Sequence, residues 1–321
     1  MKPKYLKKLL LSEIQSVTEK FDEFCVEPRK NFIRKRKLSF ETVIKTIIGM
    51  ESKSLSNELI DAFDTAPDLP SASAFIQQRS KIKPEAFKTI FSSFTLKVTS
   101  TNPDDIRILA VDGSDIHTPT NSDDLSSFYP GVNGQKPYNL LHLNALYDLN
   151  QNIYTDVLIQ GRKDMDEHIA LQEMVDNSDI PKALIIADRG YESYNNIAHI
   201  QEKGWFFLIR IKDGKSGIKD GLELPKSCEF DEKFSLKLTR RKTNEMKILL
   251  KDKNHYRFIP STHTFDYLTK KPQRKAPVEF YELNFRIVRF KISDDVYESV
   301  ITNLDANDYP AKKLKEMYSL R

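Results

Sequence analysis

The amino-acid sequence predicts a mixed α/β protein with a helical N-terminal domain, and three observations carry that reading. Apolar residues recur at helical spacing through the first hundred positions. Two compact aliphatic runs, Ile106 to Val111 and Ala183 to Ala187, each lead directly into an aspartate. Beyond the first run, strand-like and helix-like segments alternate, the pattern of a sheet with helices packed on it. A chain of 321 residues permits two domains, or one with an insertion. With 39% hydrophobic residues, 10 Gly and 15 Pro, it reads as folded and neither disordered nor fibrous.

In chain order, Leu6, Leu9, Leu10, Ile14, Val17, Phe21 and Phe24 mark a helix over 5–24, and further helical patterns cover 40–50, 54–63, 71–82 and 84–98. Pro28, Pro67, Pro70 and Pro84 punctuate them, and Ser71 and Ser73 suit the cap of the helix carrying Phe75, Ile76 and Arg79. The texture changes at Thr101-Asn102-Pro103-Asp104-Asp105, a turn-rich linker that sets the boundary of a 1–100 domain. A strand then runs to Val111, a polar loop fills 113–137, and strands at 138–147 and 153–160 flank the hairpin Asp148-Leu149-Asn150-Gln151-Asn152. A helix near 164–177, the strand 183–187, a helix near 193–203 and a strand at 205–211 complete a β-β-β-α-β-α-β core over 101–212. Short alternating stretches (234–238, 246–250, 278–290 and 297–301) make 213–302 a β-rich insertion. Leu314, Met317, Tyr318 and Leu320 start a last helix within 303–321.

Net charge is +4, from 50 Lys+Arg and 46 Asp+Glu, but it is unevenly spread. Residues 1–100 carry 18 basic and 12 acidic side chains, a net +6, which leaves −2 for 101–321. Six cations, Arg29, Lys30, Arg34, Lys35, Arg36 and Lys37, fall within ten positions, a density suited to neutralising phosphates, although a solvated basic turn has the same composition. Cys25 and Cys228 form neither a disulfide framework nor a zinc spacing, which makes a reducing cytoplasm the expected location. No run approaches 18 apolar residues, and the charged start resembles no signal peptide, so neither a membrane span nor membrane partnership is expected.

Asp112 and Asp188, placed at the ends of strands, can converge if those strands are neighbours, and converging carboxylates suit Mg²⁺ or Mn²⁺. Two such ions activate a hydroxyl and stabilise a leaving oxygen in phosphodiester displacement. Other chemistries fit less well. Ser114 and Ser193 lack the Gly-x-Ser-x-Gly elbow, Gly131-Val132-Asn133-Gly134 lacks nucleotide-binding fingerprints, and a sugar-cleaving carboxylate pair is not demanded by anything in the chain. No small-molecule substrate is expected. His142, in an apolar strand, reads as a core histidine, Trp205 as core, and His117 and Tyr191 as flanking the carboxylates.

Val111-Asp112-Gly113-Ser114-Asp115, Tyr138 to Asp148, Ala187-Asp188-Arg189-Gly190-Tyr191-Glu192-Ser193 and Phe207 to Lys212 together resemble the DDE transposases of the insertion-sequence-four family. The resemblance implies a ribonuclease-H-like core, Asp112 and Asp188 as catalytic metal-binding carboxylates, and Mg²⁺ or Mn²⁺ as cofactor. It also implies double-stranded DNA, as transposon ends and target, as the partner of a homodimer. Arg189, Arg210 and Lys212 beside the carboxylates, with Tyr318 and Arg321, would touch phosphates. The family's third carboxylate is a Glu in a helical signature Tyr-x-x-Arg-x-x-x-Glu, followed seven residues later by Lys. Tyr318-Ser319-Leu320-Arg321 matches its first half; the Glu and Lys would fall at positions 325 and 332, and Glu316, which precedes the Tyr, does not replace them. The expectation is a transposase copy truncated before its catalytic Glu, of poor stability and little strand transfer. The competing reading is a catalytically dead DNA-binding remnant that occupies transposon ends or inhibits an intact enzyme.

Overall fold

The structure, a computed structural model, describes residues 3–64, 69–99, 105–212, 217–271 and 277–321. The chain forms two compact units, Met1–Ser100 and Thr101–Arg321. The linker expected at 101–105 lies, except for Asp105, outside the described residues.

The first unit is helical: α1 (Pro3–Glu19), α2 (Phe40–Ile48), α3 (Leu55–Phe63), α4 (Ala72–Arg79) and α5 (Glu85–Val98), with a 3₁₀ turn at Phe21–Phe24. Serine caps start three of these helices. Ser39, Ser54 and Ser71 each accept a hydrogen bond from the backbone N–H three residues on, which satisfies one of the amides a helix leaves open at its start. Ile14, Val17, Val43, Ile44, Leu59, Phe75 and Ile90 fill a common core. Glu58 is buried and holds the turn before α3, its Oε1 accepting the N–H groups of Glu51 and Lys53 at 2.9 and 2.7 Å.

The second unit is built on one mixed sheet. Its elements are β1 (Arg107–Thr118), β2 (Phe128–Tyr129), β3 (Tyr138–Asp148), β4 (Ile153–Gln160), α6 (Glu167–Asp176), β5 (Ala183–Ala187), α7 (Tyr194–Glu202), β6 (Phe206–Arg210), β7 (Phe230–Thr239), α8 (Asn244–Leu249), β8 (Tyr256–Phe258), β9 (Tyr281–Ser293), β10 (Val296–Thr302) and α9 (Ala311–Tyr318). Apart from the two-residue β2, the first half follows the β-β-β-α-β-α-β order expected from the sequence. The strands lie in the order β2-β3-β1-β5-β6-β10-β9-β7-β8, with β4 also on β3; β1, β5 and β6 run parallel, and β3 is antiparallel to β1. Buried along its whole length, β5 reads as the continuous aliphatic run of a strand covered on both faces. On one face Leu109, Val111 and Ile185 pack with Leu171 and Met174 of α6 and Ile197 of α7; on the other, Leu184, Ile186 and Leu208 pack with Leu314 of α9.

Two local expectations are corrected. The segment after Asp112 is strand, not loop, as far as Thr118, because its ladder with β3 continues from Asp112↔Ala145 to Thr118↔Asn139. Residues 246–250 are not a strand: Thr243 caps α8 there by accepting the Met246 N–H, and a short apolar run cannot by itself distinguish the two states. The remaining strands of 213–302 continue the same sheet, β10 pairing with β6.

Two buried arginines fix the frame. Arg107 of β1 donates through Nε to Asp148 Oδ2 at 2.9 Å, and Asp148 Oδ1 accepts the N–H groups of Asn150 and Gln151 that turn the chain from β3 to β4. Arg286, 1% exposed, donates through Nε to the Leu304 carbonyl at 2.8 Å and also bonds Asp231 and the Tyr309 carbonyl, so it sets the segment that launches α9. Replacing Asp148→Ala leaves a buried guanidinium unpaired and is expected to cost about 3–5 kcal/mol in urea unfolding, whereas the double replacement Arg107→Met, Asp148→Leu removes the unpaired charge and recovers part of that loss, the two turn amides staying without their acceptor.

Burial holds several phenols of this unit in the neutral form. Tyr267 is pushed up to about 12, with Asp176 adding to the effect, and Tyr281 and Tyr191 move in the same direction. A phenol raised in the folded state contributes stability that is fully present below the ordinary tyrosine range and is lost as pH climbs through the raised value. Spectrophotometric titration should therefore show phenolate absorbance lagging behind that of the urea-unfolded chain above about pH 10, with unfolding accelerating as pH rises further.

Candidate functional site

The parallel pairing of β1 with β5 aligns Ala110 with Ile186, and two residues farther along each strand come Asp112 and Asp188. Strand alternation gives both the same face as Ile108, Ala110, Leu184 and Ile186, which is the face packed against α9. Asp188 immediately follows β5, where its Oδ1 accepts the Gly190 N–H at 2.7 Å and starts a 3₁₀ turn over Arg189–Tyr191. A Cβ on Gly190 would come within 2.9 Å of that same oxygen, so the glycine lets the turn fold against its own cap. Asp112 lies within β1, level with the end of its parallel neighbour, and its side chain is 78% exposed.

The chain's last residue returns to this point. Arg321 Nη2 lies 3.5 Å from Asp112 Oδ1 and 3.4 Å from the Val111 carbonyl oxygen. Half-buried Tyr318 sits one turn before it, its phenol pushed up by burial, with Arg321 and Arg210 opposing that shift and Glu298 adding to it. Of the other cations singled out in the sequence, Arg189 and Lys212 are exposed beside the carboxylate-bearing turn, while Arg210 is paired, its Nε 2.8 Å from Glu298 Oε1. Arg29, Lys30, Arg34, Lys35, Arg36 and Lys37 are all exposed and belong to the first unit.

Tyr191, three residues beyond Asp188, belongs to the core on the α6 and α7 side of the sheet; it is 2% exposed, and its hydroxyl has no hydrogen-bond partner among the described residues. Burial is the main cause of its upward shift; the charges of Glu167, Asp112 and Asp188 add to it, and Arg321 offsets part. One buried phenol thus registers all four charged groups.

Glu167 is a member of this neighbourhood that the sequence reading missed. It begins α6, whose cap is Asp166, and its carboxylate packs over Gly113. His142, directly opposite Asp115 on β3, is buried between two carboxylates: Nδ1 is 2.7 Å from Asp115 Oδ1 and Nε2 is 3.2 Å from Glu167 Oε1. His142 is therefore a core histidine with carboxylate partners. A Cβ on Gly113 would lie 2.6 Å from both Glu167 Oε1 and His142 Nε2, which gives the glycine of Val-Asp-Gly a steric reason. Only the position of Glu167 at a helix start was locally visible; its approach to β1 is a long-range contact. Trp205 is core as expected, its Nε1 donating to the Ile180 carbonyl at 3.1 Å, and His117 stands 5.7 Å from Tyr138, ring to ring.

Among the described residues no three His, Cys, Asp or Glu side chains are gathered in a way that could hold a metal ion. Asp112 and Asp188 alone supply two hard oxygen donors at adjacent register positions, a partial shell that fits a divalent cation whose other positions go to water or phosphate oxygens.

Two substitutions separate steric from polar roles here. Gly113→Ala should destabilise the protein by about 1–3 kcal/mol, because two side chains must shift. Tyr191→Phe removes a hydroxyl that bonds nothing, and its thermal midpoint should equal or exceed that of the wild type.

The Transposase DDE domain family matches residues 103–321. Among solved structures, a chain in the cryo-EM structure of a piggyBac transposase synaptic complex with hairpin DNA is similar over 99% of this chain, at 12% identity and a TM-score of 0.42. The match spans 66% of the length of that chain. No curated protein matches the sequence.

Proposed function

The chain belongs to the Transposase DDE domain family, and on that premise we propose that it binds and cuts DNA in the transposition of a mobile element of the insertion-sequence-four kind. DDE transposases generally use divalent metal ions. The observation that carries the reading is the register of β1 and β5, which gives Asp112 and Asp188 adjacent positions on one sheet face.

In this proposal Asp112 and Asp188 hold Mg²⁺ or Mn²⁺. A cation held there would lower the pKa of an attacking water or 3′-hydroxyl and offset charge on the leaving oxygen. The chain's own groups do the positioning. Asp188, oriented by the Gly190 N–H, presents its second oxygen, and Arg321 balances the charge of Asp112 until a phosphate enters. Arg189, Lys212 and Arg321 then take phosphate oxygens, and the Tyr191 phenol, kept neutral by burial, adds no charge near the carboxylates. In the first unit, Arg34, Lys35 and Arg36 make no ion pair among the described residues, which supports a role for the 28–37 cluster in neutralising the backbone of transposon ends.

The test is nicking of a supercoiled plasmid that carries the DNA bordering the gene on both sides. With Mg²⁺ the full chain is expected to nick it, and a chelator stops the reaction. Asp112→Asn and Asp188→Asn should each reduce nicking by about 100-fold or more, with binding of the same DNA little changed. Asn at 188 keeps an oxygen for the Gly190 N–H, so loss of cleavage there reports lost charge and not a lost turn. Nicking that survives both substitutions would reject the site.

A further inference from the structure

The exposed face of α4 differs in chemistry from its surroundings. Phe75 is fully buried, while Ser73, Ile76, Gln77 and Ser80 are exposed at spacings of three and four, so they form one stripe along the helix. The stripe carries no charge: two hydroxyls, a primary amide and an aliphatic side chain that is 45% exposed. Gln78, beside the stripe, is already occupied, its Oε1 accepting from Lys81 Nζ at 3.3 Å.

Cations lie on two segments that the backbone ties together, one of them the end of α4 itself. Cys25 and Ile82 form an antiparallel bridge in which the Val26 N–H donates to the Lys81 carbonyl and the Lys83 N–H to the Phe24 carbonyl, both at 2.9 Å. This joins the end of α4, with Arg79, Lys81 and Lys83, to the start of the basic loop. The loop has a fixed shape. Arg29 and Phe32 take left-handed backbone conformations (φ 60° and 57°), the Arg29 N–H bonds Asp22, and Asn31 Oδ1 accepts the Glu27 N–H at 3.0 Å. Phe32 meets Phe40 edge to face at 5.5 Å, and Leu38 is buried, so residues 33–37 stand out between two anchors.

An uncharged hydrogen-bonding stripe flanked by cations is complementary to a DNA duplex, whose base edges lie between two rows of phosphates. An α-helix with its side chains is about 10–12 Å across, close to the width of the major groove. We propose that α4 is the element that reads base sequence in the first unit. Gln77 pairs with an adenine edge, Ile76 packs on a neighbouring thymine methyl, and the loop cations with Arg79 hold the flanking phosphates. This inference rests on the proposed DNA binding, and it adds which side chains set the choice of sequence.

The experiment is affinity selection of the full chain against a pool of random 30-base-pair duplexes, with binding then measured over a range of salt. The wild type should enrich a short motif. Gln77→Ala and Ile76→Ala lie on the exposed face, so they should keep the wild-type melting temperature. Each should relax one or two positions of the motif, with about a tenfold loss on the selected duplex and little change on unselected DNA. The triple replacement Arg34→Ala, Lys35→Ala, Arg36→Ala should weaken binding to every duplex alike and lower the salt dependence by as much as about three phosphate equivalents. A motif unchanged in both α4 variants, or a wild type that binds duplexes without enriching any motif, overturns the assignment of α4. A wild type that binds no duplex even at low salt overturns the DNA-binding reading beneath it.

Discussion

The parallel ladder between β1 and β5 is the constraint on which the rest of the second unit depends. Its register, Arg107↔Ala183 through Ala110↔Ile186, gives Asp112 and Asp188 neighbouring positions at the edge of the paired region. A slip of one residue would send one of the two carboxylates to the opposite face, because side chains alternate along a strand. Burial enforces the register from both sides: Leu109, Val111, Ile185 and Ala187 must meet α6 and α7, while Leu184 and Ile186 must meet α9. The same apolar residues that stabilise the sheet therefore aim the charged ones. Because β5 ends at Ala187 while β1 continues, the carboxylates emerge at the edge of the core without either being buried as an unpaired charge.

Around this ladder the unit spends polar groups on geometry. Arg107 with Asp148 fixes β1 relative to the β3–β4 turn, and Arg286 fixes the segment that brings α9, and with it Tyr318 and Arg321, to the carboxylate face. On the other face the Asp115, His142 and Glu167 side chains close over Gly113. Glycine is favoured at 113 and 190 for a common reason: in each case a carboxylate oxygen lies close to where a Cβ would be and would have to shift for a larger residue. The short motifs Val-Asp-Gly and Asp-Arg-Gly-Tyr thus encode close packing around acidic groups.

The sequence was most informative where structure is decided locally. The helices of the first unit were legible because their apolar spacing and serine caps agree, as at Ser71 before Phe75. The buried run of β5 and the aspartate after it stood out for the same reason. Local signals failed where pairing decides. Gly113-Ser114-Asp115 has the composition of a turn, yet β3 supplies a ladder partner at every position and holds it as strand. Met246 to Leu250 has an apolar texture compatible with either state, and the Thr243 cap selects helix. The Glu167–His142–Asp115 cluster had no local signature, since three separate elements bring it together. Arg210 shows the opposite limit: the sequence marks it as a cation near the carboxylates, but only the β6–β10 pairing supplies Glu298 as its partner.

The central claim is that Asp112 and Asp188 form one cation-binding pair on the α9 face, and an anomalous difference map from crystals of the full chain soaked in Mn²⁺ tests it most directly. The account predicts a manganese peak in contact with a carboxylate oxygen of each residue, absent from crystals of Asp188→Asn. A peak that contacts neither carboxylate, or carboxylates turned away from one another with no peak between them, would contradict it.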